Sequence, residues 1–134
     1  MDIVALILSI ALEVGVPPHF ALAIAYTENR SLNPYAINYN RNGTIDRGVM
    51  QLNSRYFNVR WYCAETNVRA GIRHIRWLMD QWEGNTFWIV AVAYNAGLSA
   101  SRSDRPPGAA LTYADDVMRR WYELAPYEFS VLVY

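Results

Sequence analysis

The alternation of hydrophobic and polar positions along this chain predicts a mainly helical fold. An apolar run follows Asp2 and stops at Gly15, which predicts a buried first helix with Asp2 as its N-cap. Pro18 suits the first turn of a second helix that runs to about Glu28, because proline lacks the N–H that is unsatisfied there anyway. Gly84-Asn85 ends a third helix, which is the most clearly amphipathic. Its apolar positions recur at intervals of three and four: Val68, Ile72, Ile75, Met79 and Trp82.

Two further helices are predicted in the second half of the chain. The first, from Thr86 to about Asn95, is apolar on nearly every side and therefore belongs in the centre of the domain, with Gly97 as its C-cap. A polar loop from 99 to 108 leads to the second, from about Ala110 to Leu124. Residues 127–134 alternate weakly, which predicts a C-terminal extension, either a short strand or an extended arm.

The segment between the second and third helices has a different composition. Residues 31–53 contain Pro34, several asparagines and two glycines, which is typical of loop with a short hairpin around Asn42-Gly43. Because no linker or repeat interrupts the 134 residues, we expect a single domain. The pattern as a whole predicts a helical domain with a small loop and hairpin region that faces a cleft.

Composition narrows the classes of function. Twelve arginines balance twelve acidic residues, so the net charge of zero gives no footprint for nucleic-acid binding. The single cysteine cannot form an intramolecular disulfide, and the apolar N-terminal run is shorter than the roughly 20 residues of a membrane span. His19 and His74 stand apart from other possible ligands, so we expect neither a metal nor another cofactor.

Glu28 is the first candidate for chemistry. It closes the apolar run that begins at Phe20, and burial of its carboxyl group would raise its pKa and keep a proton available for general acid catalysis. The alternative is an ordinary solvated glutamate at a helix end. Two later motifs, Gly48-Val49-Met50-Gln51-Leu52-Asn53 and Ala93-Tyr94-Asn95-Ala96-Gly97, are individually compatible with a plain turn and with the capped end of a core helix.

Taken in this order and spacing, Glu28 and these two motifs resemble the three-motif signature of the soluble lytic transglycosylase domain, in the goose-type lysozyme-like superfamily. Residues 40–57 are most similar to the subgroup associated with secretion and pilus machinery, and they also resemble the corresponding loop of animal c-type lysozymes. The resemblance implies a lysozyme-like α+β fold. It also implies cleavage of the β-1,4 bond between N-acetylmuramic acid and N-acetylglucosamine in peptidoglycan, with formation of 1,6-anhydromuramic acid.

The resemblance also assigns site residues. Glu28 takes the position of the general acid and base, and Tyr113 matches a tyrosine near the catalytic carboxyl group. The expected substrate-binding residues are Asn29, Gly48, Met50, Gln51, Tyr94 and Asn95. In this interpretation Gly48 lets the backbone approach a sugar, Met50 forms an apolar wall and Gln51 bonds an acetamido group. Tyr94 and Asn95 would close the cleft from the opposite side, with Tyr94 bonding the glutamate. The alternative for both Met50 and Tyr94 is packing in the core.

Two positions depart from the common pattern of the family. Asn29 stands where serine or threonine usually follows the catalytic glutamate. Asp46 is absent from many members but matches an acid of the secretion-linked subgroup, and in c-type lysozymes the corresponding acid is the nucleophile or charge stabiliser. A second carboxylate about 5–5.5 Å from the first favours retaining hydrolysis, whereas a larger separation leaves room for a water molecule. The alternative is that Asp46 only stabilises the hairpin.

We therefore expect a lytic transglycosylase that acts on peptidoglycan glycan strands. The alternatives are a muramidase that hydrolyses the same bond with help from Asp46, or a catalytically weak glycan-binding module. We also expect a monomer in the periplasm or cell envelope, exported by a signal that is not in this sequence, with a secretion or pilus assembly as a possible partner.

Overall fold

The computed structural model describes residues 2–84 and 86–134. Within them the chain forms seven helices and a three-stranded sheet, so the prediction of a mainly helical fold with a small hairpin region is confirmed. None of the described helices is both long and apolar enough to cross a membrane. The helices are α1 Ile3–Val14, α2 Pro18–Glu28, α3 Ala64–Met79, α4 Phe87–Ala96, α5 Leu98–Ser101, α6 Gly108–Leu124 and α7 Pro126–Val133. The strands are β1 Ile37–Tyr39, β2 Ile45–Arg47 and β3 Leu52–Asn53.

Helix α2 lies in the core of the domain and brings Glu28 to its C-terminal end. Six consecutive residues of α2, from 20 to 25, are buried, and the helix packs against α1 and α6. Phe20 lies 4.9 Å from the ring of Trp121 on α6 and 5.2 Å from the ring of Phe87 on α4. Because such aromatic contacts fix both distance and tilt, the three helices are held in one arrangement around the last turn of α2.

The predicted ends of α1 are confirmed. Asp2 Oδ1 accepts a hydrogen bond of 2.8 Å from the Ala5 amide, which satisfies one of the free N–H groups at the helix start. Gly15 follows the last turn in the left-handed conformation, with φ of 87°, and its N–H donates to the Ala11 carbonyl. The helix therefore stops where Pro18 can begin α2.

The hairpin around Asn42-Gly43 is also confirmed, and a third strand extends it. The antiparallel order is β1-β2-β3, and the turn between the first two strands is closed by a 2.9 Å bond from the Asn40 amide to the Thr44 carbonyl. Asp46 lies opposite Asn38 on one side and opposite Asn53 on the other. Directly paired residues share a face of a sheet, so these three polar side chains project to the same side.

The prediction of a short strand or extended arm for residues 127–134 is wrong, because Pro126–Val133 forms helix α7. Phe129 is buried against Trp121, with ring centroids 5.3 Å apart. The carboxylate of Glu128 accepts bonds from the His19 amide and from Trp121 Nε1, both at 3.0 Å. These tertiary contacts select the helix, and Pro126 at its first turn begins α7 as well as ending α6.

Two other boundaries differ from prediction. Helix α3 ends at Met79 with Asp80 as its C-cap, so Trp82 lies beyond the helix. Of the predicted stop signal Gly84-Asn85, Asn85 lies outside the described residues. Within the predicted polar loop, Leu98–Ser101 forms the short helix α5, in which the Ser101 hydroxyl donates to the Leu98 carbonyl at 2.6 Å. Apolar periodicity does not detect a single turn of this kind.

Candidate active site

Glu28 is half-buried at the C-terminal end of α2. Burial opposes the charged form and is the largest influence on its pKa, which rises to about 7. A hydrogen bond from Tyr113 lowers this pKa and the negative charge of Asp46 raises it, both by less than burial does. At neutral pH the carboxyl group is therefore divided between its protonated and ionised forms, which an idle surface glutamate would not be.

The structure brings Tyr113 into direct contact with Glu28. The Tyr113 hydroxyl, on α6, donates a 2.8 Å hydrogen bond to Glu28 Oε2. Burial and the neighbouring Glu28 charge hold the pKa of Tyr113 well above its ordinary range, so this hydroxyl remains a donor. With Oε2 occupied, the other carboxyl oxygen can hold the proton that Glu28 exchanges.

Tyr94, in contrast, does not bond the glutamate, which was one of the two alternatives for this residue. Its hydroxyl donates to the backbone carbonyl of Met50, at 2.8 Å. Burial raises the pKa of Tyr94 well above its ordinary range, and the charges of Glu28 and Asp46 add to this effect. Tyr94 therefore lies close to both carboxylates, but it connects α4 to the turn at residues 48–51.

Met50 is completely buried, so it does not form an apolar wall for a sugar, and the alternative of core packing is correct. Its side chain packs against Gly71 on α3, where an added Cβ would lie 2.7 Å from Met50 Cγ. Its amide donates a 2.8 Å bond to Asn67 Oδ1. Met50 thus anchors the turn in the core, and Gly71 leaves the space that the methionine needs.

Gly48 is required by packing within the protein, which differs from the predicted reason. It has φ of 79°, in the left-handed region, and an added Cβ would lie 2.7 Å from Asn67 Cγ and 2.8 Å from the Trp61 carbonyl oxygen. The space beside its α-carbon is therefore filled by α3 and by the loop before it, so no sugar approaches from that direction.

Gln51 and Asn29 are both buried, and their side-chain amides form hydrogen bonds within the protein. They were expected to bind a sugar. Gln51 Nε2 donates to the Gly48 carbonyl at 3.0 Å, and its Oε1 accepts from Asn38 Nδ2 at 2.6 Å. Asn29 Nδ2 donates to the carbonyls of Asn33 and Gly48, at 2.8 and 3.2 Å. These bonds join the end of α2, the following loop and the sheet to one turn beside Glu28.

Asp46 and Asn95 retain access to solvent. Asp46 is half-buried on β2, and its Oδ1 accepts a 3.0 Å bond from Asn53 Nδ2. The same carboxylate raises the pKa of Glu28, so it stabilises the sheet and acts electrostatically on the site. Asn95 is exposed at the end of α4, directly after Tyr94. Tyr94, Tyr113 and Glu28 are likewise half-buried, whereas the other predicted site residues are buried: Asn29, Gly48, Met50 and Gln51.

Asn67 organises this region but escaped the sequence analysis. Its side chain is fully buried, donates to the Arg47 carbonyl at 3.0 Å and accepts from the Met50 amide at 2.8 Å. A detectable signal existed, because Asn67 adjoins Val68 at the edge of the apolar stripe of α3. A polar residue at such a position is buried only when it bonds backbone groups.

His74 is half-buried among aromatic rings. Its ring is stacked on Trp77, with centroids 5.9 Å apart, and lies 5.3 Å from the ring of Phe57 and 5.7 Å from that of Tyr94. Burial lowers the pKa of His74 and so favours the neutral imidazole. The histidine therefore acts as an aromatic packing residue behind Tyr94.

Comparison with known proteins identifies the class to which this fold and site belong. The family model described as the transglycosylase SLT domain matches residues 5–109, and the chain therefore belongs to this family of peptidoglycan lytic transglycosylases. Two curated relatives, Protein IpgF of Shigella sonnei and Protein IpgF of Shigella flexneri, are each 29% identical over 119 residues. The alignments cover 83% of this chain and 75% of each relative. Tyr113 and helix α7 lie beyond the part matched by the family model.

Proposed function

We propose that this protein cleaves the β-1,4 bond between N-acetylmuramic acid and N-acetylglucosamine, with Glu28 as both general acid and general base. The observation that carries the proposal is the half-buried Glu28 carboxyl group, whose pKa of about 7 equips it for both roles near neutral pH. Membership of the transglycosylase SLT family supports the substrate class.

In the first step, protonated Glu28 gives its proton to the glycosidic oxygen while the bond from that oxygen to C1 of the muramic sugar breaks. The Glu28 carboxylate then removes the proton from the C6 hydroxyl of the same sugar, and O6 bonds to C1 to close the 1,6-anhydro ring. No water is consumed, and Glu28 recovers its proton. The Tyr113 bond stabilises the carboxylate between the two steps, since it favours the charged form.

The remaining site residues have different proposed roles. Five of them are positioning residues, because their bonds and packing fix the turn beside Glu28: Asn29, Gly48, Met50, Gln51 and Tyr94. Asn95 is the proposed substrate contact at the end of α4, where its amide is exposed. Such rigid support favours catalysis by holding the carboxyl group in one orientation.

A second candidate function is hydrolysis of the same bond with Asp46 as the assisting carboxylate. It is favoured by the electrostatic effect of Asp46 on Glu28 and by the partial exposure of Asp46. In this reaction water supplies the group that bonds to C1, and the product has a reducing end.

Mass spectrometry of digested peptidoglycan distinguishes these candidates. We expect anhydro-muropeptides from the wild-type protein and none from Glu28→Gln, whose fold the same hydrogen bond from Tyr113 can support. Reducing ends in place of anhydro products would assign the muramidase reaction. Binding to peptidoglycan without either product would assign a glycan-binding module.

The proposed setting follows from the substrate. We place the protein in the periplasm or cell envelope, as a single domain and a monomer that acts on glycan strands. A secretion or pilus assembly is the proposed partner, because residues 40–57 resemble the subgroup linked to such machinery.

A further inference from the structure

Charge is distributed unevenly along this neutral chain. Residues 29–63, which contain the sheet and its loops between α2 and α3, carry five arginines and one acidic residue, Asp46. The remainder carries seven arginines and eleven acidic residues. The segment that contains the sheet is therefore strongly basic, and the rest of the chain is acidic. We call the five residues the sheet arginines: Arg30, Arg41, Arg47, Arg55 and Arg60.

The sheet arginines are available to a ligand. Four of them are exposed, the half-buried Arg47 being the exception. Among the described residues none of the five forms an ion pair with a carboxylate, whereas three of the seven arginines elsewhere do: Arg69, Arg76 and Arg119. An exposed arginine without a partner presents its full fork of donors to an incoming anion.

Two of these arginines are connected to the candidate site through neighbouring residues. Arg30 is separated from Glu28 by Asn29, whose side chain bonds the Gly48 carbonyl. The Arg55 amide donates to Asn53 Oδ1, and the amide nitrogen of the same Asn53 bonds Asp46. Arg30 is thus two positions from Glu28 in the sequence, and Arg55 is connected to Asp46 through Asn53.

Aromatic rings accompany the arginines. The Arg55 guanidinium lies 5.7 Å from the ring centroid of Tyr56, a residue with 74% of its surface exposed. Arg47 lies 5.6 Å from the ring of Trp61 in the same way. Stacking on a ring restricts the long side chain, so less conformational entropy is lost when its guanidinium binds an anion.

We propose that the sheet arginines bind the carboxylates of the peptides attached to muramic acid, so that peptide-bearing strands are the preferred substrate. This inference rests on the proposed function and extends it to substrate choice. The uncharged N-acetylglucosamine units offer no anion to these arginines, whereas the stem peptides carry free carboxylates along the strand. A guanidinium can bind a carboxylate through two parallel hydrogen bonds.

The test compares binding to two forms of the same glycan. Peptidoglycan is cleaved with an endopeptidase to give soluble strands with uncross-linked peptides, and in half of the sample the peptide carboxylates are converted to neutral amides with a carbodiimide and ammonia. Binding is measured by titration calorimetry in the Glu28→Gln background, which prevents digestion. The test variant is Arg30→Gln/Arg55→Gln. The control is Arg73→Gln/Arg105→Gln, which removes the same charge from exposed arginines on α3 and before α6.

We expect the test variant to bind the unmodified strands roughly three- to tenfold more weakly than the parent, and to show a much smaller change on the amidated strands. The preference for unmodified over amidated strands should also weaken as salt is added. An equal loss on both forms, or an equal loss in the control variant, would overturn the proposal. Because binding is measured without turnover, failure of the wild-type protein to cleave peptidoglycan would count against the proposed function alone.

Discussion

The Tyr113 hydroxyl donates a 2.8 Å hydrogen bond to Glu28 Oε2 across 85 positions of the chain. This contact joins the end of α2 to α6 and opposes the effect of burial on the carboxyl group, because it favours the ionised form. Burial has the larger effect, so the pKa of Glu28 remains at about 7. The contact therefore sets how strongly Glu28 holds its proton, which can be measured.

Tyr113→Phe should move the alkaline limit of activity to higher pH. Removing the hydroxyl removes an influence that lowers the pKa of Glu28, so the acid form persists further into the alkaline range. The pH profile of kcat/KM measures this shift. Tyr122→Phe, on the exposed side of the same helix, is the control and should leave the profile unchanged. An alkaline limit at the same pH in Tyr113→Phe would show that Glu28 is not the titrating acid.

Glu28→Gln should change how stability depends on pH. The pKa of Glu28 is about 7 in the folded protein against 4.5 ordinarily, so between these values the folded state keeps a proton that the unfolded chain has released. Stability from this group is complete below pH 4.5 and is lost as pH rises to 7, by an amount on the order of 2–3 kcal/mol. Glutamine has no such loss.

Urea unfolding at pH 4.5 and pH 8 checks this. The unfolding free energy of the wild-type protein should fall from pH 4.5 to pH 8 by more than that of Glu28→Gln. If the two proteins differ in unfolding free energy by the same amount at both pH values, folding does not raise the pKa of Glu28.

Asp46→Asn should move the alkaline limit of activity to lower pH, opposite to Tyr113→Phe. The negative charge of Asp46 raises the pKa of Glu28, and the neutral amide removes that influence. The oxygen of asparagine can still accept the bond from Asn53, so the sheet should remain intact. The products separate the two proposed reactions. If the wild-type protein is a transglycosylase, this variant should still give anhydro products. If the wild-type protein gives reducing ends and this variant gives anhydro products instead, hydrolysis depends on Asp46.

Periodicity predicted the helices that carry the site, but not the bonds within it. The apolar run to Glu28 and the apolar residues of α4 located two of the site elements, because core helices are recognisable from their pattern. The motif at residues 48–51 was found as well, yet its side chains face inward. Local sequence does not specify which side of the turn at residues 48–51 faces α3. That side is set by long-range packing, of Gly48 against Asn67 and of Met50 against Gly71.

The same limit explains the error at α7 and the unpredicted aromatic packing of His74. Weak alternation at residues 127–134 gave no reason to expect a helix, which is selected by contacts of Glu128 and Phe129 with distant residues. His74 lies on an amphipathic helix among arginines, and only the approach of α4 places the ring of Tyr94 against it. Long-range contacts decide both outcomes, and local pattern does not record them.

Gly48→Ala should destabilise the protein more than Gly43→Ala. Both glycines have φ near 80°, so alanine carries the same backbone cost of about 1–2 kcal/mol at either position. At Gly43 nothing lies within 4 Å of an added Cβ, whereas at Gly48 the Cβ would overlap Asn67 and the Trp61 carbonyl. We expect an additional loss of about 1–3 kcal/mol at Gly48, measured by denaturant unfolding. Equal losses at both positions would contradict the packing role of Gly48.

Asn29→Ser should reduce stability, with little direct effect on substrate affinity. Serine is common at this position in the family, but it is too short to reproduce the bonds of Asn29 Nδ2 to the Asn33 and Gly48 carbonyls. Both carbonyls also accept other bonds, from the Ala36 amide and from Gln51 Nε2, so we expect a loss of about 1–3 kcal/mol for the pair.

Asn95→Ser provides the contrast, because Asn95 is exposed and is the proposed substrate contact. This variant should raise KM while leaving the unfolding free energy within about 0.5 kcal/mol of the wild-type value. Denaturant unfolding and steady-state kinetics on both variants separate the two roles. If Asn29→Ser raised KM at unchanged stability, Asn29 would bind the glycan directly, and the internal bonds of its amide would have to open when substrate binds.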